Sequence, residues 1–245
     1  MENFLEIKKQ ESQPKLLFKV ILMRHEETEY TNTGNDLTDK GVEGAKEFGR
    51  KLKDDNFFPN KDEVTSLYSP KPRTKGTLDL VLEEAGISKE NSRPINVLGP
   101  SKIIDAEAFD KHTEEELEDD PARIAEAHYT HDIHKNHPEI IEPHLKKKER
   151  LYRAMEYLIR SIVKNDNSEG SSTPQILAVT HFEIITHLID DVFGIENTGY
   201  RSPLFGEQVK ISAFQTEDPD KILLDVAFRG LEKQAIFNRK TRSIE

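Results

Sequence analysis

Two histidines stand at the ends of short apolar runs in this chain. Lys19-Val20-Ile21-Leu22-Met23 leads into Arg24-His25-Glu26-Glu27-Thr28, and Gln175-Ile176-Leu177-Ala178-Val179-Thr180 leads into His181. Runs rich in β-branched residues and too short for a core helix read as buried strands. Each would deliver its histidine at a strand's C-terminal end, where open α/β sheets keep their chemistry. The planar, permanently charged fork of an arginine can hold two oxygens of an anion, and a neutral imidazole can attack or exchange a proton. Two strands each tipped with a histidine predict one shared site. Taken alone, a strand-end histidine is more often a hydrogen-bonded structural residue, so the pair needs company to carry weight.

That company lies between them. After Arg24-His25-Glu26-Glu27-Thr28 come Leu37-Thr38-Asp39-Lys40-Gly41, then Ser69-Pro70-Lys71-Pro72-Arg73-Thr74-Lys75-Gly76-Thr77, then Val179-Thr180-His181. In this order and at this spacing, from about Lys19 to about Phe214, the chain resembles the histidine phosphatase superfamily, the phosphoglycerate-mutase-like proteins. The first block is similar to the family's Arg-His-Gly-Glu-Thr signature with Glu26 in place of glycine. The second resembles its Leu-Thr-x-x-Gly helix start, and the third its Ser-Pro-x-x-Arg-x-x-x-Thr segment.

A phosphomonoester resists attack because its negative oxygens repel a nucleophile and its alkoxide leaves poorly. Catalysis needs cations on the oxygens, an in-line nucleophile and a proton donor. The resemblance implies each role: His25 as a nucleophile that forms a phosphohistidine, with Arg24, Arg73 and His181 gripping the phosphoryl oxygens. It implies no metal or other cofactor. A backbone carbonyl accepting from the other ring nitrogen of His25 would fix the reactive tautomer. Thr28 and the backbone N–H of Phe182, at a helix start, are candidate substrate contacts. For the proton donor, Asp105 in Ile103-Ile104-Asp105 has the family's spacing and Glu107 its usual residue type. Neither is followed four residues later by the expected glycine, so both stand.

Glu26 separates two readings. A carboxylate pointed at the phosphate would repel a dianion, whereas one turned away would be harmless. The first case leaves a degenerate fold that binds a phosphate ligand or a protein; the second leaves a working phosphatase acting on a small phosphorylated substrate. A phosphoglycerate-type mutase is disfavoured, because the sequence after the acid lacks the Arg-His-Tyr-Gly pattern such mutases share. His128, His131, His134 and His137 recur every three residues, which on a helix drifts round the surface. They read as part of a polar insertion, with metal binding as the alternative.

The elements that must position these residues alternate between strand and helix. This predicts an α/β three-layer sandwich, a mainly parallel sheet flanked by helices, with a helical insertion at about 99–144 covering the site. Residues 16–238 form the single domain, preceded by a polar tail over 1–15 and followed by a disordered tail over 239–245. Thr38 should cap a helix carrying Val42, Ala45, Phe48 and Leu52, and Val64–Tyr68 should form the strand before Ser69. Ile95–Leu98 is an expected further strand. Leu151, Met155, Leu158, Ile159 and Ile162 mark an amphipathic helix, and 182–193 a helix ending at Gly194. Strands over 209–214 and 222–228 should make a hairpin at the sheet edge.

The 245 residues, 35% of them hydrophobic, suffice for one sizeable core. A net charge of −11 disfavours nucleic acid or an anionic membrane as partner. The absence of cysteine fits a cytoplasmic setting and rules out disulfides and thiolate metal sites. No apolar run approaches the ~20 residues that span a bilayer. The oligomeric state is open.

Overall fold

The computed structural model describes residues 14–29, 36–117, 137–165, 172–194 and 203–245. Strand β1 (Leu16–Arg24) is buried on both faces, which is why it reads as a continuous apolar run. Val20 and Leu22 point into one core cluster, and Ile21 and Met23 into another on the opposite side.

Helix α1 (Asp39–Asp54) begins at Thr38, whose hydroxyl accepts from the Gly41 N–H at 3.0 Å. A Cβ at Gly41 would lie 2.2 Å from the Glu27 carbonyl oxygen. Only glycine lets this helix start lie against the backbone just past His25, which gives the Leu-Thr-x-x-Gly pattern a physical reason. Thr38→Ala should cost about 1 kcal/mol through the lost cap, seen as a lower urea midpoint at constant slope. An unchanged midpoint would mean that the cap contributes nothing.

Strand β2 (Val64–Tyr68) leads into α2 (Pro72–Ala85), which closes at Gly86 in the left-handed conformation, φ 69°. The next strand, β3, is Ser92–Pro94. The expected strand over Ile95–Leu98 is instead a single 3-10 turn at Asn96–Leu98. That turn buries Leu98 in the core and presents its carbonyl to the Thr180 hydroxyl at 2.7 Å, which an edge strand continuing past Pro94 would not do.

Then follow α3 (Ala106–Leu117), α4 (His144–Asn165), β4 (Gln175–Thr180), α5 (Phe182–Phe193), β5 (Gln208–Gln215), β6 (Lys221–Phe228), β7 (Leu231–Asn238) and β8 (Ser243–Ile244). On α4, Leu151 and Ile159 are buried with Met155, Leu158 and Ile162 packed beside them, as their spacing predicts. Helix α5 ends at Gly194 with φ 70°. The insertion is helical in α3. Among the described residues no helix is long and apolar enough to cross a membrane.

The sheet is mixed, in the order β3-β2-β4-β1-β5-β6-β7-β8. Strands β3, β2, β4 and β1 run parallel, and this half carries both histidines; β1 pairs antiparallel with β5, and β5 to β8 continue antiparallel. The hairpin of β5 and β6 is present but interior, with β5 on the central strand β1 and β7 beyond β6. Leu231-Glu232-Lys233-Gln234 is exposed, so β7 opens without the apolar alternation that marks a half-buried strand.

The 239–245 segment is not a disordered tail. Arg239 donates to Glu156 at 2.9 Å and to the Pro219 carbonyl, and β8 pairs with the end of β7. One core cluster lies under α1 and α2, the other under α4 and α5, completing three layers.

Candidate active site

The parallel register sets Arg24 beside Thr180 and Tyr68 beside Val179, so three strands end level. The ladder runs one step further: the His25 N–H donates to the Thr180 carbonyl at 2.9 Å and the Ser69 N–H to the Val179 carbonyl at 3.1 Å. Residues far apart in the chain are thereby fixed side by side. The rings of His25 and His181 lie 5.1 Å apart, and both are almost fully enclosed, at 2% and 1% exposure.

Hydrogen bonds decide the tautomers. Nδ1 of His25 lies 2.8 Å from the Glu26 carbonyl, which can only accept, so Nδ1 carries the proton. Nε2 then accepts from Arg73 Nε at 3.1 Å. Arg73 Nη2 lies 3.3 Å from Nδ1 of His181, and Nε2 of His181 lies 2.7 Å from the Ser69 hydroxyl. With Arg73 donating to Nδ1, the His181 proton sits on Nε2 and is given to Ser69. Ser69 meets the Thr74 hydroxyl at 3.1 Å, and Thr74 donates to the Ser69 carbonyl.

Burial, then His181 and Arg73, hold the pKa of His25 well below its ordinary value. Burial likewise takes His181 down to about 3, opposed by Glu183 and reinforced by Arg73 and Lys71. Both rings are therefore neutral near pH 7, and His25 presents a lone pair on Nε2.

Arg24 is held differently. Its Nη1 donates to the Pro203 carbonyl at 2.5 Å, and its guanidinium carbon lies 3.9 Å from the Phe205 ring centre and 5.0 Å from that of Phe182. Phe205 also tilts against His25, with ring centres 5.6 Å apart. Arg24, His25, Arg73, His181 and Phe182 thus share one place. Thr28 is buried beside them in sequence, bridged to Leu37.

The two carboxylates proposed as proton donors stand apart. Asp105 is exposed and accepts from the Ala108 N–H at 3.0 Å, at the start of α3. Glu107 is exposed in the first turn of α3. Neither bonds to the histidine and arginine cluster.

Of the four-histidine run, His128, His131 and His134 lie outside the described residues. His137 pairs with Glu139 at 3.2 Å and packs its ring on His112. Among the described residues no group of His, Cys, Asp or Glu is arranged to hold a metal ion.

The Glu26 carboxyl lies against Gly44 and Gly206, buried rather than solvated. Its backbone does the positioning work: the carbonyl orients His25, and its N–H is held by the Thr77 hydroxyl at 3.1 Å.

The profile of the histidine phosphatase superfamily, branch 1, matches residues 20–227. The chain belongs to that superfamily. Among solved structures, this chain is similar to mycobacterial hydrolase 2, with TM-score 0.60 and 15% identity over 89% of this chain and 93% of that one. It is also similar to mycobacterial glucosyl-3-phosphoglycerate phosphatase, at 0.59 and 14% over 86% and 97%. Phosphoglycerate mutase from Bacillus anthracis gives 0.57 and 19% over 81% and 88%. Identities this low speak for the fold alone. No curated protein matches the sequence.

Several contributors escaped the sequence reading as site residues. Ser69 and Thr77 lay inside a quoted motif but act through neighbours, Ser69 on His181 and Thr77 on the Glu26 backbone. Phe205 sits in a loop with no periodicity to flag it. Glu183, two residues past His181, is buried and accepts from the backbone and hydroxyl of Ser101 at 3.4 and 3.5 Å. Ser101 in turn accepts from buried Lys147 at 2.8 Å, whose pKa burial lowers to about 8. An acidic residue opening an apolar helix was the available signal.

Proposed function

We propose that this protein hydrolyses a small phosphomonoester through a phosphohistidine on His25. The observation that carries the reading is Arg73, which donates to Nε2 of His25 and approaches Nδ1 of His181 while Glu26 locks the other nitrogen of His25. An incoming phosphoryl group fits where that fork now spans the two rings. Its oxygens would take the donors of Arg73, freeing the His25 lone pair as the phosphorus arrives.

Nε2 then attacks, the N–P bond forms and the P–O bond to the leaving group breaks, with a proton taken up by the departing oxygen. Arg24 and Arg73 hold the charge on the remaining oxygens, and His181 joins them once the bound anion draws a proton onto its Nδ1. In the second half a water molecule attacks phosphorus and returns a proton to the group that protonated the departing oxygen, the N–P bond breaks, and phosphate leaves with His25 restored. For the departing oxygen, Asp105 and Glu107 serve only if α3 swings toward the site; Glu183 is already buried beside His181.

That same separation of Asp105 and Glu107 from the cluster favours one second reading, a pocket that binds a phosphate ligand without turning it over. Rapid quenching with a labelled aryl phosphate distinguishes the two. A phosphatase gives an acid-labile, alkali-stable phosphoenzyme and continues to turn over in the presence of a chelator. A protein that binds inorganic phosphate yet yields no phosphoenzyme across a broad panel of monoesters is the binding module. Label on serine or aspartate would exclude the histidine mechanism.

A further inference from the structure

Glu26 occupies a slot that two other elements leave open for it. The residue is 8% exposed. A Cβ at Gly44 on α1 would lie 2.9 Å from the carboxyl carbon and both oxygens. A Cβ at Gly206 would lie 2.2 Å from Oε1. Glycine at Gly206 is also demanded by its φ of +73°. The carboxyl is therefore packed between a helix backbone and a turn backbone.

That turn holds Arg24. Glu207 N–H closes it on the Leu204 carbonyl at 3.1 Å. Pro203 supplies the carbonyl to Arg24 Nη1, Phe205 lies over the guanidinium and against His25, and the Glu207 carbonyl accepts the Arg24 N–H at 2.9 Å. What rests on the Glu26 carboxyl is the segment that aims a phosphate-binding arginine.

We propose that Glu26 is a positioning residue: its neutral carboxyl seats the Leu204–Glu207 turn on Arg24, and its ionisation unseats the turn and weakens oxyanion binding. The inference rests on the reading of the cationic cluster as an oxyanion site. Among the described residues the carboxyl makes no ion pair, and the group that hydrogen-bonds it is the Glu27 backbone N–H. On its own segment it is flanked by Arg24, His25 and Glu27, and α1 brings Lys40 and Glu47. The turn brings Glu207, which is committed to Arg229 at 2.6 Å, and α2 brings Thr77 and, beyond it, Arg73. Burial first, then the Glu27 and Glu47 charges, raise its pKa to about 7, with the Glu27 backbone N–H and Lys40 opposing. Below that pH the slot holds a neutral group. Above it the slot holds a desolvated anion with two like charges nearby, which is relieved by moving toward water.

Tungstate, a dianion throughout the relevant range, is the probe, with binding measured by calorimetry from about pH 6 to about pH 8. Wild-type affinity should fall about tenfold relative to Glu26→Gln over that interval, a coupling of ordinary size between a titrating group and a ligand. Glu26→Gln keeps a neutral group of the same shape and should hold its affinity. Titration of the histidines is common to both proteins and cancels in the ratio. As a second readout, a fluorinated Phe205, assigned with Phe205→Leu, should shift with a midpoint near pH 7 in wild type and not in Glu26→Gln.

Parallel affinity profiles for the two proteins, or a Phe205 signal that titrates in both, would overturn this inference and leave the pocket intact. Failure of both proteins to bind tungstate at any pH would overturn the pocket reading and this inference together.

Discussion

His25→Ala is expected to lower turnover of any competent monoester on the order of 100,000-fold, as loss of a covalent nucleophile does when the rest of its site remains. The reason is geometric. Nε2 of His25 has its lone pair fixed by Nδ1–H bonded to the Glu26 carbonyl, and its pKa is lowered by burial, His181 and Arg73. No proton has to be removed before attack at neutral pH. His181 cannot substitute, because its Nε2–H is spent on Ser69 and its Nδ1 faces Arg73. Phosphate affinity should change only about threefold, since the guanidinium groups that attract the anion are untouched. Stopped-flow turnover with parallel phosphate calorimetry reads both numbers. Turnover that survives within about tenfold of wild type would move the nucleophile elsewhere.

How much of this was legible in the chain follows from what kind of signal each part leaves. Strands β1 and β4 are buried on both faces, and a short apolar run cut off by polar residues is the pattern such burial writes. The grouping of Arg24, Arg73 and His181 around His25 was implied by the resemblance of the ordered motifs to the superfamily. Helices α1, α4 and α5 were legible from their spacing and from Thr38 and Gly194 at their ends.

Strand β7 was not, because half of its side chains face water. The turn that replaces Ile95–Leu98 was hidden by β-branched residues whose burial is set by tertiary packing rather than local propensity. The orientation of Glu26 could not be read either: whether a carboxylate beside a strand end meets the ligand or a slot depends on Gly44 and Gly206, which are 18 and 180 residues further along. The proton donor is the least legible of all, since Asp105 and Glu107 fit by spacing and type yet Asp105 serves as a helix cap.

Arg73→Lys should be nearly as damaging as Arg73→Ala, each lowering kcat/KM about 1,000-fold, or about 4 kcal/mol of transition-state stabilisation. The charge survives in the lysine variant, so the loss is one of shape. Arg73 uses Nε on His25 and Nη2 on His181 at once, and an ammonium group on a flexible stem cannot span two rings as a planar fork does. The alanine variant adds an effect on pH. Arg73 helps hold both histidines below their ordinary pKa, so removing it lets both rise, and His25 becomes protonated at a higher pH than in wild type. The acid limb of the kcat/KM profile should move upward accordingly.

Stability should respond in the matching direction. Groups whose folded pKa lies below the unfolded value near 6.5 contribute stability above that pH, lost as pH falls toward the folded value, about 3 for His181. Wild-type protein should therefore lose stability below about pH 6.5 more steeply than Arg73→Ala, and urea midpoints taken across that range would show it. An Arg73→Lys enzyme with wild-type kcat/KM, or an acid limb that does not move in Arg73→Ala, would remove Arg73 from its place between the two histidines.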